Sequence, residues 1–230
     1  MSKYLLAALL CLSSIASFGT ARPEVKAAYK ANMHIHQETI TDRATCSATA
    51  IGPQALLTAT HCELPTDELE IEGLDKPVKI VGRIRDGKDH SIYLIEGFTF
   101  KDTVAVAQNK IEPTDTVFIW GNPGQLTDMY RVGVFSGVIS EEDVLLFQLP
   151  IYPGDSGAAL FAENGTVVEV VSFSFTQQTK DGRSITFAGV WPLSFSQEDI
   201  DKAVKFTTPA PVPPKKDSAN DTSSNTSTIN

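Results

Sequence analysis

The sequence of 230 residues is poor in cysteine, in clustered basic residues and in long apolar runs, and each of these absences excludes a class of protein. Acidic residues outnumber basic ones by 28 to 19, so the chain carries a net charge of −9. A nucleic-acid or anionic-membrane partner would call for a basic face, and the sequence offers only the pair Lys215-Lys216. No apolar run reaches the roughly 20 residues of a spanning helix, so we expect no stable membrane insertion.

The first 21 residues have the composition of an export signal. A single lysine is followed by a short apolar run and then by small residues through Ala21, which is typical of a secretory signal peptide. Removal of this segment also removes Cys11 and leaves Cys46 and Cys62 in a protein that we expect to be secreted or periplasmic. An oxidising compartment favours one disulfide between them. Two free thiols, or a zinc site that includes His61, are weaker alternatives because no second pair of ligands has a suitable spacing.

Short β-rich runs, separated by Gly, Pro, Asn and Asp, fill the middle of the chain. Their spacing of about 10 residues, with no long segment of period 3.6, predicts an all-β sandwich or a pair of barrels. The runs are 44–51, 55–60, 78–84, 91–95, 117–120, 133–140, 144–149, 158–161, 167–175 and 185–191.

Helical and tail segments flank these strands. Residues 22–32 fit a short helix or a loose arm, and 196–206 predict an amphipathic helix capped by Ser196 with Asp199. Residues 207–230 are rich in Pro, Ser, Thr and Asn and bury too little to offset chain entropy, so they predict a disordered tail.

Gly154-Asp155-Ser156-Gly157 places a serine in a tight, glycine-flanked bend, where its hydroxyl is exposed to backbone N–H groups. A serine hydroxyl needs a base to become a nucleophile, and histidine is the usual one. All four histidines precede Ser156, and Ala158 stands where a nucleophile elbow has its second glycine. The sequence therefore excludes the α/β-hydrolase arrangement.

His61 is the favoured base because it ends an apolar strand directly beside Cys62. A bridge to Cys46 would anchor the loop that carries this histidine.

Leu57-Thr58-Ala59-Thr60-His61-Cys62, with Cys46 before it and Gly154-Asp155-Ser156-Gly157 after it, resembles the chymotrypsin (trypsin-like) serine peptidase family. Trp120-Gly121-Asn122-Pro123-Gly124 is more similar to its compact HtrA-like bacterial and viral branches. The resemblance spans about 45–193. It implies two six-stranded antiparallel β-barrels, a site in the cleft between them and the chain order His, Asp, Ser.

With this fold the chain divides into four parts. These are a signal peptide (1–21), an N-terminal β-barrel with the His and Asp (22–110), a C-terminal β-barrel with the Ser and the terminal helix (111–206), and the tail (207–230).

Two aspartates compete for the role of the triad acid. Asp89 enters a hydrophobic strand and is followed two places later by the small residue Ser91, which is similar to the family's pattern. Asp102 reaches a comparable small residue, Ala105, only after three places. We therefore favour Asp89 over Asp102.

The resemblance implies roles for the remaining residues. Ser156 attacks the scissile carbonyl, His61 transfers the proton, and Asp89 orients the imidazole. The N–H groups of Gly154 and Ser156 are expected to form the oxyanion hole. This chemistry calls for no cofactor and no metal.

The primary specificity pocket is expected to be built from Pro150, Ser172, Phe173, Ser174 and Gly189. Pro150 stands six places before Ser156, where trypsin-like members carry an acid, so cleavage after Lys or Arg is not expected. An apolar or small residue before the scissile bond fits better, with Gly189 leaving space at the back.

The sequence thus predicts a secreted serine endopeptidase acting on protein or peptide substrates. The alternatives are a catalytically inactive, protease-like binding protein and an esterase with the same triad.

No Ile-Val-Gly-Gly sequence stands near the start to pair with Asp155, which we expect to make local hydrogen bonds instead. His34 and His36 share one strand face but lack an evident third ligand, so we expect them to be solvated, and we assign His90 a structural or surface role.

Overall fold

The computed structural model describes residues 22–107, 111–124 and 126–208. The expected signal peptide and nearly all of the expected tail lie outside these residues. The elements in chain order are α1 (Pro23–Ala31), β1 (Asn32–Glu38), β2 (Arg43–Gly52), β3 (Ala55–Ala59), a 3-10 turn (Thr60–Cys62), β4 (Glu68–Ile71), β5 (Val78–Arg85), β6 (His90–Glu96), β7 (Thr116–Gly121), β8 (Met129–Ile139), β9 (Val144–Gln148), β10 (Ala159–Ala162), β11 (Val167–Val170), β12 (Phe173–Gln178), β13 (Ser184–Val190) and α2 (Gln197–Lys205). The all-β prediction is confirmed.

The first six strands close into a barrel in the order β1-β2-β3-β6-β5-β4. Alternation of side chains sends Leu69 and Ile71 of β4 inward and Glu70 outward, as the period of a strand requires. The barrel closes where β4 pairs with β1, at Ile35 with Ile71 and at His36 with Glu70. This half matches the expected six-stranded barrel.

The second half is a seven-stranded antiparallel sheet in the order β11-β10-β7-β8-β9-β13-β12, whereas six strands were expected. The run 167–175, expected as one strand, divides because the chain changes partners. Val171 exchanges backbone hydrogen bonds with Ala158 and Gly157, whereas the Ser172 N–H donates to Gly189 O and Phe173 pairs with β13. The result is two short strands at opposite edges of the sheet.

Both helices pack on the N-terminal barrel. In α1, which takes the helical alternative for this segment, Val25, Ala28 and Ala31 are buried in that barrel's core cluster. In α2, Ser196 and Asp199 form the expected capping box.

The C-terminal helix lies against β2, although the sequence assigned it to the second half of the chain. Ile200 and Ala203 are buried in the first core cluster, and a Cβ added to Gly52 would lie 2.9 Å from Val204 Cα. The chain therefore returns to the first barrel after completing the second sheet. Within the described ranges no helix is both long enough and apolar enough to cross a bilayer.

Candidate active site

The serine loop lies between β9 and β10 and contains two tight turns. The Asp155 N–H donates to Tyr152 O at 3.0 Å, and the Ala158 N–H donates to Asp155 O at 2.8 Å. Gly154 has φ +100° and Gly157 has φ +83°, values that L side chains rarely adopt. The glycines on either side of Asp155-Ser156 are therefore required by backbone geometry.

The first barrel holds this loop through Ser47, which is fully buried. The Ser47 N–H donates to Ser156 O at 2.8 Å, and its hydroxyl donates to Gly154 O at 2.9 Å. The same hydroxyl accepts the backbone N–H of Asn122 at 3.1 Å and its side-chain amide at 2.9 Å. A Cβ on Gly157 would overlap Ser47 O and Thr58 Oγ1, so the loop lies directly against the barrel.

The two amides expected to form the oxyanion hole have no partner in the described part of the chain: neither the Gly154 N–H nor the Ser156 N–H donates a hydrogen bond there. Unpaired N–H groups flanking a serine can stabilise negative charge that develops on a substrate oxygen.

His61 lies in the 3-10 turn that ends β3, next to the disulfide between Cys46 and Cys62. The expected disulfide is confirmed, so neither sulfur is available for the alternative zinc site. The Thr60 N–H donates to Asp89 O at 2.8 Å, which joins this turn to the start of β6.

Asp89 is the aspartate that contacts His61. Its Oδ2 lies 2.8 Å from His61 Nδ1, and its Oδ1 accepts the His61 backbone N–H at 3.1 Å. Asp89 is 15% exposed at its side chain, against 45% for His61. Asp102 instead forms an exposed ion pair with Lys30 at 3.0 Å.

Ser156 lies beside the disulfide, since Cys62 Sγ is 3.9 Å from Ser156 O. The hydrogen bonds among the described residues include none between the Ser156 hydroxyl and the His61 ring. Catalytic hydrogen bonds are often long in proteins without bound substrate and shorten when it binds. The structure thus brings Asp89 and His61 into hydrogen-bond contact, and among the described residues the His61 ring is not hydrogen-bonded to the Ser156 hydroxyl.

Sequence reasoning missed Arg131. Asp155 is fully buried, and the Arg131 guanidinium donates to both of its oxygens, Nη1 to Oδ2 at 2.6 Å and Nη2 to Oδ1 at 2.5 Å. The Tyr152 N–H also donates to Asp155 Oδ2 at 2.8 Å, which is the local hydrogen bond that was expected. Arg131 lies on the same face of β8 as the buried Phe135, and this position is the sequence signal that could have identified it. A buried cation needs a carboxylate partner.

A cleft of about 620 Å³ opens beside His61. Its lining includes Asp89, Ser172 and Phe173, and also Trp191, which is not among the residues expected to build the specificity pocket. The Phe173 and Trp191 ring centroids are 4.7 Å apart.

Three other residues of the expected specificity pocket, Pro150, Ser174 and Gly189, are not among the described residues that line this cleft. Gly189 does not leave open space, because the Phe173 ring covers its Cα. Pro150 is exposed, and its carbonyl accepts a hydrogen bond from Arg131 Nη1 at 3.0 Å.

Two buried acids have shifted pKa values. Asp86 and His90 are fully buried and paired at 2.6 Å, so His90 is structural. Burial alone would raise the pKa of Asp86, but the hydrogen bond and charge of His90 lower it. Burial raises the pKa of Glu169 to about 8, although the Leu193 N–H donates to this carboxyl at 2.9 Å.

His34 and His36 lie on the outer face of β1, and His34 is not solvated as expected. Only 9% of the His34 side chain is exposed, and its Nδ1 is hydrogen-bonded to Glu72.

Comparisons with known proteins agree with this geometry. A family model described as a trypsin-like peptidase domain matches residues 46–168, which is more than half of the chain. No curated protein matches the sequence.

Several solved structures share the fold. An inactive form of Rv3671c from M. tuberculosis H37Rv is 17% identical, with a TM-score of 0.58 over 79% of this chain and 89% of that one. A serine endoprotease from Yersinia pestis is 17% identical, with a TM-score of 0.61 over 82% of this chain and 68% of that one. The HtrA-type protease AlgW, solved with a tripeptide, is 19% identical, with a TM-score of 0.60 over 79% and 62%.

Proposed function

This chain belongs to the trypsin-like peptidase family and is a serine endopeptidase, and on that premise we propose that it is exported and cleaves peptide bonds with Ser156, His61 and Asp89. One observation carries the assignment. Asp89 holds both the ring and the backbone N–H of His61, while the amides of Gly154 and Ser156 have no hydrogen-bond partner among the described residues.

The chemistry follows from these positions. Ser156 Oγ attacks the scissile carbonyl carbon while His61 Nε2 accepts the hydroxyl proton, and Asp89 stabilises the imidazolium through Nδ1–H. The oxyanion of the tetrahedral intermediate accepts hydrogen bonds from the Gly154 and Ser156 amides, each worth about 100- to 1,000-fold in rate. The leaving amine takes the proton from His61, and water then hydrolyses the acyl-enzyme by the same route.

The cleft and the sequence support a preference for apolar or small residues before the scissile bond. Phe173 and Trp191 present aromatic surface beside His61. Pro150, which lies outside the described lining of the cleft, brings no charge at the sequence position where trypsin-like members carry an acid. A lysine or arginine side chain would therefore find no carboxylate partner at that position.

The serine loop needs no new N-terminus to order it. In the digestive members of the family, a freshly cleaved N-terminus pairs with the aspartate before the serine. Here Arg131 already neutralises Asp155 within the folded chain. We infer that the site does not depend on that kind of activation.

Export is supported by the disulfide between Cys46 and Cys62, since such bridges persist in oxidising compartments. The expected signal peptide lies outside the described residues.

A fluorophosphonate probe tests the assignment. The folded, disulfide-intact protein should be labelled at Ser156, whereas Ser156→Ala and His61→Ala should not be labelled. Ser136→Ala, which removes an exposed hydroxyl of β8, is the control and should be labelled like the wild type. Labelling that persists in Ser156→Ala would contradict the proposal, as would an unlabelled wild type, which would favour the binding-protein alternative. A peptide library varied before the scissile bond then tests specificity, and preferred cleavage after Lys or Arg would refute that part.

A further inference from the structure

The outer face of the first barrel carries a second cluster of chemically active side chains, formed by His34, His36 and Glu72. One nitrogen of each imidazole and one Glu72 oxygen lie within 4.8 Å of one another. The strand pairing explains this convergence. His34 and His36 are two residues apart on β1, and the Glu72 N–H donates to His34 O at 2.9 Å, which sets Glu72 opposite His34.

We propose that His34, His36 and Glu72 bind a Zn²⁺ ion that ties β1 to β4. Two imidazoles and one carboxylate are a ligand set that zinc uses, with water filling the remaining position. Calcium and magnesium prefer sites built of oxygen ligands, so a site with two imidazoles disfavours both.

Burial distinguishes this cluster from a pair of surface histidines. Only 9% of the His34 side chain is exposed, and its Nε2 is buried without a hydrogen-bond partner among the described residues. Exposed histidines satisfy both ring nitrogens with water, whereas an unpaired buried nitrogen costs free energy. A ligand bound by Nε2 would offset that cost.

His36 is prepared for metal binding by its neighbours. Its Nδ1 lies 3.1 Å from Thr45 Oγ1, a hydroxyl that can accept the Nδ1–H and leave the Nε2 lone pair for the metal.

The carboxylate can adjust to an ion. Glu72 is now hydrogen-bonded to His34 Nδ1, and its side chain is 53% exposed, so it can move outward to admit a metal at about 2 Å from each ligand. Glu70 lies opposite His36 in the strand register and adds a second negative charge, and the hollow beside His36 is also lined by Arg43, Asp75 and Lys76.

The position of the cluster gives the metal a structural effect. The described pairing that closes the barrel between β1 and β4 consists of two residue pairs, Ile35 with Ile71 and His36 with Glu70. An ion held by His34, His36 and Glu72 would bridge the same seam from outside. Binding to the folded state alone raises stability.

Isothermal titration of the metal-stripped, full-length mature protein with ZnCl₂ tests the proposal. We expect a single Zn²⁺ per chain, a higher unfolding temperature with zinc, and little response to CaCl₂ or MgCl₂. His36→Gln and Glu72→Gln should each weaken zinc binding at least about tenfold. Visible absorption of the Co²⁺-loaded protein should show a low-coordinate site in the wild type and lose it in both variants.

Two control variants show whether a loss of zinc binding is specific to the proposed ligands. Glu38→Gln removes an exposed carboxylate further along β1, and His61→Asn removes the exposed histidine of the cleft, and both should retain zinc affinity. Without zinc, His36→Gln and Glu72→Gln should unfold at the same temperature as the metal-free wild type. A loss of zinc binding can then be distinguished from a loss of folding. The proposal is overturned if the wild type takes up no zinc, if His36→Gln and Glu72→Gln bind as the wild type does, or if His61→Asn alone abolishes binding.

Discussion

Replacing Arg131 with methionine should damage both the stability and the activity of the protein. Methionine keeps much of the volume of arginine but leaves the Asp155 carboxylate fully buried without its cation. Of the hydrogen bonds described above to this carboxylate, only the one from the Tyr152 N–H, at 2.8 Å, would remain.

The magnitude follows from the two charge-assisted hydrogen bonds, at 2.6 and 2.5 Å, that the change removes. Breaking one side of a buried ion pair costs about 3–5 kcal/mol, most of it because the remaining charge is uncompensated. Asp155 stands between Gly154 and Ser156, so relaxation of the loop would displace both oxyanion-hole amides. We expect kcat to fall by about 100-fold or more.

Guanidinium denaturation and steady-state hydrolysis of a peptide substrate measure the two effects. Arg183→Met is the matched control, since Arg183 is 83% exposed and pairs with Asp181 on a hairpin. It should change stability by less than about 0.5 kcal/mol. Combining Arg131→Met with Asp155→Asn should cost less than the sum of the single changes, by about 2 kcal/mol.

The outcome that would refute this reasoning is an Arg131→Met protein that unfolds within about 1 kcal/mol of the wild type and keeps its kcat. The Arg131–Asp155 pair would then be incidental to the serine loop, and ordering of the loop would have to depend on its contacts with the first barrel.

Three further predictions concern the acids and the disulfide. Asp89→Asn should lower kcat by about 10,000-fold, because the His61 imidazole would no longer be held in the tautomer that accepts the serine proton. Asp102→Asn should leave hydrolysis nearly unchanged, and equal losses in the two variants would reject Asp89 as the acid. Glu169 stays protonated in the folded protein up to about pH 8 but ionises near 4.5 when unfolded, so the unfolding free energy should fall as pH rises between these values. Urea denaturation across pH should show this fall reduced in Glu169→Gln, and an identical profile in that variant would refute the assignment. The double change Cys46→Ala and Cys62→Ala opens a loop with a sequence separation of 16 and should cost about 3 kcal/mol of stability and slow fluorophosphonate labelling; unchanged labelling would show that the bridge does not hold His61.

The strands and the serine loop were largely predictable because their signals are local. Alternating apolar residues interrupted by Gly, Pro and Asn give the strand positions, and the glycines around Ser156 reflect backbone angles that other residues rarely adopt. The short strand β4 was missed because four residues, Glu68–Ile71, give too little alternation to stand out.

Features that depend on distant pairings were not predictable. Arg131 and Asp155 are 24 residues apart, and His34 and Glu72 are 38 apart, so no local spacing connects either pair. The covering of Gly189 by Phe173 depends on the register between β12 and β13, which sequence periodicity does not specify. The preference of Asp89 over Asp102 rested on the spacing of one small residue, and the contact with His61 now gives it a geometric basis.

The contacts of Ser47 imply an order in which parts of the molecule complete their folding. It belongs to the first barrel, yet its backbone and hydroxyl hold the carbonyls of Ser156 and Gly154 in the second half, and its hydroxyl also accepts from Asn122. The nucleophile loop can therefore reach its final shape only once the two halves have docked. Proteolytic competence would then be the last property acquired during folding, which keeps a half-folded chain from digesting its neighbours.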